Sequence, residues 1–419
     1  MKPHLKQLNF DPCSFKGIPL TPSMDERLDF ISKSIEVSPL SDESIELANK
    51  VLKSGQLFRY GECNADGNYT ALLEQKFASM MSQKYAIAVN SGGSAIYLAL
   101  KSLGIGPKDR VGLNEFTLAP VPGAIENTGA EIVLFNISDH LVLDTEGFEK
   151  QLEISGVKAF VLSHMRGHIA DLITIQSACE NQGVFLIEDC AHTTGAQFNR
   201  QPVGSFGIAG CFSFQTYKQL NGGEGGIITT NDEDLAARAI LFSGSYMLYD
   251  QHKARPPIEV FEKWKTMTPN YSLRLNELTS AILIPQLDEL EDKNQRWREI
   301  YGILQKGINM IDGLQVIQAN EAVLPAPTSF QFIINSLEKI PTFIQTARQY
   351  GLNIKWFGAD QPIGFTSNSK HWGYLSPPSS IHPSLKRLCD VRIPVTLTDE
   401  ECHSLLEIIR QVSSEMNII

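Results

Sequence analysis

Residues 211–226, with the sequence CFSFQTYKQLNGGEGG, decide how this chain folds. An apolar run at 210–214 predicts a short buried strand, and one lysine, Lys218, follows it before a glycine cluster. In an open α/β sheet, ligands bind beyond the carboxyl ends of the strands, where this lysine would lie. Because glycines let the backbone approach a ligand closely, Lys218 could reach a ligand carbonyl and form a Schiff base. Taken alone, however, the stretch favours an ordinary surface lysine.

A second stretch gives Lys218 a chemical partner. The predicted buried strand 184–187 runs into the sequence EDCAH at 188–192, which contains Asp189. Pyridoxal phosphate requires a buried carboxylate beside its ring nitrogen, because that nitrogen must keep its proton for the ring to withdraw electrons. A strand-end carboxylate upstream of the lysine meets this requirement. We therefore favour a cofactor role for Asp189 over a helix-capping role.

A third stretch predicts a phosphate site. The sequence NSGGS at 90–94 follows the predicted strand 85–89 and opens a predicted helix. The backbone N–H groups at that helix start, together with the Ser94 hydroxyl, would bind a phosphate. A phosphate cradle, an acidic strand end and a lysine thus occur in this order along the chain. Together they predict a pyridoxal 5′-phosphate site.

Composition excludes several classes of protein. The 419 residues carry a formal net charge of −11 without a block of Lys or Arg, which argues against nucleic acid or an anionic membrane as a partner. The seven cysteines are scattered without metal-type spacing, which favours free thiols and no metal site. No apolar run approaches membrane-spanning length, and no signal-peptide pattern follows Met1. We therefore expect a cytoplasmic protein.

The order of predicted elements indicates two domains behind an N-terminal arm at residues 1–40. Apolar strands alternate with helices from 69 to 242, which predicts a largely parallel sheet with helices on both faces in a large domain at 41–270. Residues 243–268 interrupt this alternation and are expected to form an insertion or lid. A small α+β domain would follow at 271–419. It would begin with a long helix at about 274–306, bent at Pro285.

Four motifs resemble those of the DegT/DnrJ/StrS-type aminotransferases, a family of fold-type I pyridoxal phosphate enzymes. They are NSGGSA at 90–95, HMRGHIAD at 164–171, EDCAH at 188–192, and GSFG with CFSFQTYK and GEGG at 204–226. The resemblance covers residues 40–310 most clearly. It implies a large domain with a mainly parallel seven-stranded sheet, a smaller C-terminal α+β domain, and amination of keto-sugars or cyclitols.

The resemblance also assigns roles to individual residues. Lys218 would form the Schiff base with the cofactor, and Asp189 would pair with the pyridine nitrogen. Gly93 and Ser94 would hold the phosphate with help from Ser213. His192 stands where the family places a Gln or His near the cofactor ring. Asn270 would reach the phosphate of a neighbouring subunit, which implies a homodimer with shared active sites.

Two positions depart from the family pattern. The family usually has an aromatic residue, stacked on the cofactor ring, at the position of Leu118, and Phe116 lies nearby in sequence. The usual Asn two residues before the arginine of the long helix is Ser272 here. Neither change abolishes cofactor binding on physical grounds. Both bear on whether the substrate is the usual sugar nucleotide.

Five further residues are candidates for substrate contact: Arg59, Tyr60, His164, His168 and Arg392. The first two lie in a Gly- and Asn-rich loop at 56–68, where a salt bridge and a packed ring are an equal alternative. The histidines end a predicted strand at the expected active-site edge. They could also be metal ligands, but no third ligand at suitable spacing is evident, and ordinary hydrogen-bonded histidines are the other alternative. The arginine could bind a substrate carboxylate with two prongs, or form a surface ion pair.

Three functional hypotheses remain open on this sequence. The first is an aminotransferase that uses Glu or Gln as donor and acts on a keto-sugar, a keto-cyclitol or a related small metabolite. The second is another pyridoxal phosphate reaction, such as elimination, dehydration or cyclisation of an amino acid. The third is a non-catalytic sensor that keeps the cofactor pocket, against which the intact Lys218 argues. A nicotinamide site and a P-loop are disfavoured, because the chain lacks their glycine motifs.

Overall fold

The structure, a computed structural model, describes residues 30–61, 68–375 and 380–416. Most of the N-terminal arm predicted at 1–40 therefore lies outside the described residues. The strands are β1 Tyr85–Val89, β2 Arg110–Asn114, β3 Glu131–Phe135, β4 Ala159–Ser163, β5 Phe185–Asp189, β6 Gln197–Phe198, β7 Gln201–Pro202, β8 Ala209–Ser213, β9 Gly226–Thr230, β10 Leu314–Val316, β11 Val323–Leu324, β12 Ser329–Ile334, β13 Lys355–Trp356 and β14 Leu388–Arg392.

Helices connect these strands. The α-helices are α1 Phe30–Ser34, α2 Asp42–Ser54, α3 Tyr69–Met80, α4 Gly92–Ser102, α5 Pro120–Glu126, α6 Phe148–Ser155, α7 Leu172–Gln182, α8 Glu233–Ser243, α9 Ile258–Trp264, α10 Glu277–Asp288, α11 Leu290–Ile308, α12 Ile340–Gln349, α13 Pro383–Lys386 and α14 Asp399–Glu415. Single 3₁₀ turns occur at Met165–Gly167, Tyr249–Gln251, Leu337–Lys339 and Ser369–His371. Within the described residues, no helix is both long and apolar enough to cross a membrane.

The large sheet has seven strands in the order β1-β9-β8-β5-β4-β2-β3. Neighbouring strands pair in parallel from β3 to β8, and β9 pairs antiparallel with both β8 and β1. Alternate residues of β1 enter two different cores: Ala86 and Ala88 face one, and Ile87 and Val89 face the other. The sheet is therefore covered on both faces, as the strand and helix alternation predicted.

This sheet places polar residues side by side at one edge. The parallel strands β4, β5 and β8 end at Ser163, Asp189 and Ser213. The register pairs Ser163 with Asp189 directly. Because parallel strands deliver their carboxyl ends to the same edge of a sheet, these three residues lie at one edge, and Asp189 and Ser213 line the crevice there.

The small sheet is antiparallel, with the strand order β10-β12-β14-β13. Phe330 and Phe332 of β12 pack with residues of α11, α12 and α14 in a separate core. On the other face, Phe357 and Leu388 pack against Phe116, which follows strand β2 of the large sheet. This contact holds the two sheets in a fixed arrangement, and the crevice between them contains the candidate site.

The long-helix prediction is wrong at its bend. The segment forms two consecutive helices, α10 and α11, which meet at Glu289, and Pro285 lies inside α10. The partners change at the same place, because α10 packs on α2 and α3 whereas α11 packs on α14. A change of packing partner, rather than the missing proline N–H, therefore sets the break. The domain division at residues 270 and 271 stays a prediction.

Two elements were not anticipated. The segment 243–268 contains α9, whose Phe261 is fully buried and stacks on Tyr249 with ring centroids 4.1 Å apart. The strand β14, which carries Asp390 and Arg392, lies between β12 and β13. Its sequence, LCDVR, ends in charged residues, so it does not resemble a buried strand by composition.

Candidate active site

A cavity of about 440 Å³ lies between the strand ends of the large sheet and the strands β12 and β14 of the small one. Lys218, Asp189, His192, Ser213 and Gly93 all line it. The structure therefore brings together five residues that come from three separate stretches of the sequence, 90–94, 188–192 and 211–226. This convergence is what a pyridoxal phosphate site requires.

Lys218 sits on a closed loop that follows β8. Backbone hydrogen bonds from Phe214 to Gly225 and from Gly222 to Phe214, both 2.8 Å long, hold the ends of the loop together. The Lys218 Nζ lies 3.0 Å from His192 Nε2. Burial and the nearby Arg166 lower the pKa of Lys218 to about 7. A good fraction of this amine is therefore uncharged at neutral pH, as a nucleophile must be.

His192 is the neighbour of that amine and is itself buried. Burial, followed by the positive charges of Lys218 and Arg166, holds the pKa of His192 well below its usual range. The imidazole is therefore neutral, and one of its nitrogens can accept a hydrogen bond from Lys218. A neutral ring is also a suitable neighbour for an aromatic cofactor.

Asp189 is the buried carboxylate of the site. Its Oδ2 accepts a hydrogen bond of 2.7 Å from Ser163 Oγ, and its Oδ1 accepts one of 3.2 Å from the Ala191 backbone N–H. Both contacts fix the orientation of the carboxylate, and both leave lone pairs free for another donor. The side chain can thus hold a protonated ring nitrogen in the adjoining cavity.

The start of α4 forms the predicted phosphate cradle, with one change of residue. Ser91 caps the helix by accepting a hydrogen bond of 3.0 Å from the Ser94 N–H, and the two hydroxyls lie 2.9 Å apart. Ser91, Gly92 and Gly93 line the cavity, whereas Ser94 does not. A Cβ at Gly92 would lie 2.9 Å from the Cβ of Ser213, so this position requires glycine. The exposed N–H groups and the two serine hydroxyls, from Ser91 and Ser213, fit a phosphate.

The groups that line the cavity therefore fit pyridoxal 5′-phosphate at three separate points. Lys218 supplies a buried, largely neutral amine, and Asp189 supplies a buried carboxylate with spare acceptor capacity. The helix start supplies N–H donors beside glycines that leave room for a ligand. No single point identifies the ligand, but the combination matches its aldehyde, ring nitrogen and phosphate.

Arg59 and Tyr60 do not line the cavity. Arg59 forms a buried two-pronged ion pair with Glu74, with N–O distances of 2.8 and 3.0 Å. Tyr60 Oη lies 2.7 Å from Nε2 of the buried His252. Arg59 therefore forms a salt bridge and Tyr60 a packed ring, as the alternative interpretation predicts. The Arg59–Glu74 pair is buried rather than exposed to solvent.

The structure also places His164 away from the cavity. Its Nε2 lies 3.2 Å from Glu188 Oε2. Glu188 accepts further hydrogen bonds from the backbone N–H groups of Gly204, Phe206 and Gly207. His164, Glu188 and Cys190 place possible ligand atoms within 4.8 Å of one another. Because the Glu188 oxygens already accept four hydrogen bonds, the arrangement is best described as a buried hydrogen-bonded core.

His168 acts on the cavity only through intermediates. Its Nε2 contacts Gln331 Oε1 at 3.2 Å, and burial lowers the pKa of His168 to about 4. The amide of Gln331 donates in turn to Asp390 Oδ1 at 2.7 Å. The neutral histidine therefore orients Gln331, which orients a carboxylate that lines the cavity.

Arg392 does line the cavity, together with residues that sequence reasoning missed. These are Arg166, Tyr217, Lys355 and Asp390. Arg166 lies within the quoted HMRGHIAD motif, so a charged residue at a strand end was the available signal. Tyr217 stands beside Lys218 in the stretch 211–226, so its position along the chain was its only signal. Lys355 and Asp390 gave no signal, because they reach the site through strands β13 and β14 of the small sheet.

The two departures from the family pattern are both visible. Leu118 lines the cavity, whereas Phe116 is buried against Phe357, with ring centroids 5.1 Å apart. Phe116 therefore does not replace the missing aromatic residue. Ser272 has a left-handed backbone, with φ of 57°, and its N–H donates to Asn270 Oδ1 at 2.9 Å. Neither Asn270 nor Ser272 lines the cavity of its own chain.

Comparison with known proteins agrees with this site. Residues 40–349 match the model of the DegT/DnrJ/EryC1/StrS aminotransferase family. A spore coat polysaccharide biosynthesis protein, SpsC, of Bacillus subtilis is 32% identical over 279 residues, which cover 66% of this chain and 69% of that protein. GDP-perosamine synthase of Escherichia coli O157:H7 is 31% identical over 248 residues, 59% of this chain and 65% of the relative.

A solved structure shares the fold across nearly the whole chain. It is E. coli GDP-4-keto-6-deoxy-D-mannose-3-dehydratase with bound hydrated PLP, which superposes with a TM-score of 0.75 at 21% identity. The match covers 89% of this chain and 97% of that one. The architecture of a pyridoxal phosphate enzyme therefore extends through the small sheet, beyond the part of the chain that the sequence motifs covered.

Proposed function

The chain belongs to the DegT/DnrJ/EryC1/StrS aminotransferase family, and we propose that it moves an amino group from Glu or Gln to a keto-sugar, a keto-cyclitol or a related small metabolite. The enzyme is an aminotransferase that depends on pyridoxal 5′-phosphate. The observation that carries the proposal is the position of the Lys218 amine, buried in one cavity with the Asp189 carboxylate.

The residues of the cavity divide the work. Lys218 would attach the cofactor, and Ser91, Gly92, Gly93 and Ser213 would hold its phosphate. The bound cofactor supplies an electron sink for the carbon from which a proton is removed. Lys218 Nζ, once freed from the cofactor, would accept that proton and return it at the cofactor carbon to which Lys218 had been attached. Asp189 would keep the ring nitrogen protonated throughout.

His192 would control the state of the lysine. Its neutral ring nitrogen lies within hydrogen-bonding distance of Lys218 Nζ. By accepting a hydrogen bond, this nitrogen can orient the amine both before and after the amine leaves the cofactor. Removal of the ring would leave Lys218 without this oriented contact. His192 thus belongs to the proton-transfer machinery in this proposal, next to Lys218 and Asp189.

A sugar acceptor is supported by the relatives and by space. GDP-perosamine synthase and a polysaccharide biosynthesis protein are named for products that contain sugars. The cavity of about 440 Å³ can hold a monosaccharide beside the cofactor. Its lining includes Leu118 and Ile96 as well as charged groups, which suits an acceptor with both apolar and polar faces.

A homodimer with shared sites is part of the proposal. Asn270 lies outside the cavity of its own chain, where a residue that serves a neighbouring subunit would be. Tyr246 and Met247 beside it are more than half exposed and have left-handed backbones. An exposed apolar pair on a strained turn supports burial by a second copy of the chain.

The test is a half-reaction followed by cofactor absorbance. Holoenzyme mixed with L-glutamate or L-glutamine should lose the absorbance of the lysine-bound cofactor and gain that of the aminated form. Addition of a keto-sugar nucleotide should then restore the first spectrum. If no amino acid converts the cofactor, transamination is excluded.

One observation favours the second candidate, another pyridoxal phosphate reaction. Leu118 lines the cavity where the family usually has an aromatic residue, and Phe116 is directed elsewhere. A cofactor ring without a stacked partner could be positioned for elimination or dehydration. The same spectra separate the two, because such a reaction would release product and leave the lysine-bound cofactor spectrum unchanged after turnover. A non-catalytic sensor would show neither change.

A further inference from the structure

One wall of the cavity carries more positive than negative charge. Arg166, Lys355 and Arg392 line this wall together with a single carboxylate, Asp390. The three cations come from separate parts of the chain: a turn after β4, the strand β13 and the end of β14. We call these four residues the cationic wall. Lys355, Asp390 and Arg392 belong to the small sheet, whereas Arg166 follows a strand of the large sheet and lowers the pKa of both Lys218 and His192.

The carboxylate of the cationic wall is already engaged. Asp390 Oδ2 lies 3.2 Å from Arg166 Nη2, and its Oδ1 accepts from Gln331 at 2.7 Å. Arg166 also donates to the Phe365 carbonyl at 3.0 Å, and its φ of 58° is a left-handed conformation that costs energy outside glycine. Its Nε is buried without a hydrogen-bond partner. Asp390 thus fixes Arg166 in place without neutralising the other two cations.

Arg392 and Lys355 have no carboxylate partner among the described residues. The Arg392 guanidinium lies 3.9 Å from the centroid of the Tyr217 ring and donates one hydrogen bond, 3.0 Å long, to the Ser34 carbonyl. The Lys355 Nζ lies 5.8 Å from the centroid of the Phe365 ring. Both side chains are therefore held by aromatic rings and leave most of their N–H donors free.

The electrostatic cost of this arrangement is visible in both groups. Burial, together with Arg166 and Arg392, lowers the pKa of Lys355 despite the favourable effect of Asp390. Burial lowers the pKa of Arg392 to about 10. Like charges in a cavity repel and are poorly hydrated, so the folded chain alone does not stabilise them. An anion would remove the cost.

We infer that Arg392, Lys355 and Arg166 bind an oxyanion of the substrate, either a carboxylate or a phosphate. The planar guanidinium of Arg392 can make two parallel hydrogen bonds to such a group, and Lys355 adds a point charge. Because Arg392 stacks on Tyr217, the residue next to Lys218, the bound oxyanion would lie close to the reacting amine. The inference rests on the proposed function, and it adds which residues bind the carboxylate of the donor or the phosphate of the acceptor.

The first test measures anion binding without turnover. Wild-type holoenzyme is titrated with glutarate, a dicarboxylate without an amine or ketone, and separately with inorganic phosphate, by isothermal titration calorimetry. Lys355→Met and Arg392→Met should each weaken the preferred anion by about tenfold or more, the loss expected for a charged hydrogen bond. The surface variants Lys76→Met and Arg410→Met should bind as the wild type does. Equal dissociation constants in all five proteins, or no binding by the wild type, would overturn the inference.

The second test assigns the oxyanion to a substrate. The donor half-reaction with glutamate and the acceptor half-reaction with a keto-sugar nucleotide are followed separately by cofactor absorbance. If the donor carboxylate is bound, the variants raise the donor KM about tenfold and leave the acceptor KM unchanged; if the acceptor anion is bound, the reverse holds. KM values unchanged in both directions would contradict a substrate role.

Two controls keep these outcomes distinct. Lys355→Arg retains the charge and should restore most of the binding, whereas Arg392→Lys keeps the charge but loses the two-pronged contact and should restore only part of it. A merely structural role would not follow charge. Circular dichroism and the cofactor spectrum report whether each variant folds. If the wild type converts its cofactor with an amino donor but the variants bind anions normally, only this inference fails. If the wild type binds glutarate yet never converts its cofactor, the proposed function fails instead.

Discussion

Two buried groups of charged residues in this molecule differ in their balance. Arg59 and Glu74 form a fully buried ion pair with two hydrogen bonds, and His252 Nδ1 lies 3.0 Å from Glu74. Although burial acts to raise it, the charges of Arg59 and His252 hold the pKa of Glu74 at about 2. In the cationic wall, by contrast, three cations share one carboxylate and line an open cavity.

The comparison distinguishes charged residues that stabilise the fold from charged residues that bind a ligand. The Arg59–Glu74 pair balances its own charge and lies outside the cavity, although Arg59 Nε has no hydrogen-bond partner among the described residues. Glu74 comes from α3, and Arg59 and His252 come from segments that pack on it. A buried set with spare donors and unbalanced charge is costly to the fold and is retained for a ligand. We therefore expect substitutions in the first group to change stability, and those in the second to change ligand affinity.

Arg59→Met should have the largest effect on stability. It leaves the Glu74 carboxylate buried without its main counter-charge, which costs about 3–5 kcal/mol in the free energy of unfolding. Urea denaturation followed by circular dichroism measures this loss. Arg410→Met, which removes an exposed arginine that pairs with Glu407, is the matched control and should cost less than about 1 kcal/mol. Equal losses in the two variants would remove the distinction drawn here.

Lys355→Met should have the opposite consequence. Removal of a cation that lacks a carboxylate partner should keep or raise the free energy of unfolding, by up to about 2 kcal/mol, as found where residues are strained for function. The same variant should bind glutarate or phosphate about tenfold less tightly. Denaturation and calorimetry on one preparation test both statements. A destabilised variant with normal anion affinity would show that Lys355 is structural.

Asp390→Asn tests the charge balance of the cationic wall by removing its one carboxylate. The amide cannot neutralise Arg166, so the net positive charge of the cationic wall increases while Gln331 can still donate to the remaining oxygen. We expect the oxyanion to bind several-fold more tightly, because the substitution removes one repulsive charge, worth about 1 kcal/mol at water-like screening. Glutarate titration measures the change. Weaker binding, with the fold intact, would indicate that Asp390 orients the cations rather than opposing them.

The smallest expected effect concerns pH. Attachment of the cofactor requires a neutral Lys218 amine, and a pKa of about 7 means that the neutral fraction rises with pH and levels off above that value. The rate of pyridoxal phosphate uptake by apoenzyme should follow this curve, measured by the appearance of the lysine-bound spectrum. Arg166→Gln removes a positive charge that lowers the pKa of Lys218, so the midpoint should move to higher pH. A rate that keeps rising towards pH 10 would show an ordinary lysine.

Much of the cofactor side of the cavity could be predicted because it is local in sequence. Lys218, Asp189 and the glycines at 92–93 each follow a short apolar strand, and the parallel arrangement of strands brings their ends together. Ser41 and Gly55 mark the two ends of α2 in the same local way, because a capping hydroxyl and a left-handed glycine each leave a signal in the sequence.

Apart from Arg392, the cationic wall could not be predicted, because it forms through long-range contacts. Lys355 and Asp390 meet only when β13 pairs with β14, two strands that lie more than thirty residues apart along the chain. The location of Arg59 also depends on a partner that its own loop does not contain. Its loop suggested exposure and function, but its partner Glu74 lies on a helix fifteen residues away and draws the side chain into the core.

The central claim is that the Lys218 amine carries the cofactor. Holoenzyme reduced with borohydride, digested and analysed by mass spectrometry tests it directly. The account predicts a single peptide that contains Lys218 with the mass of reduced pyridoxal phosphate added, and no such peptide from Lys218→Ala. A label on any other lysine, or an unlabelled protein that still converts amino donor to product, would contradict it.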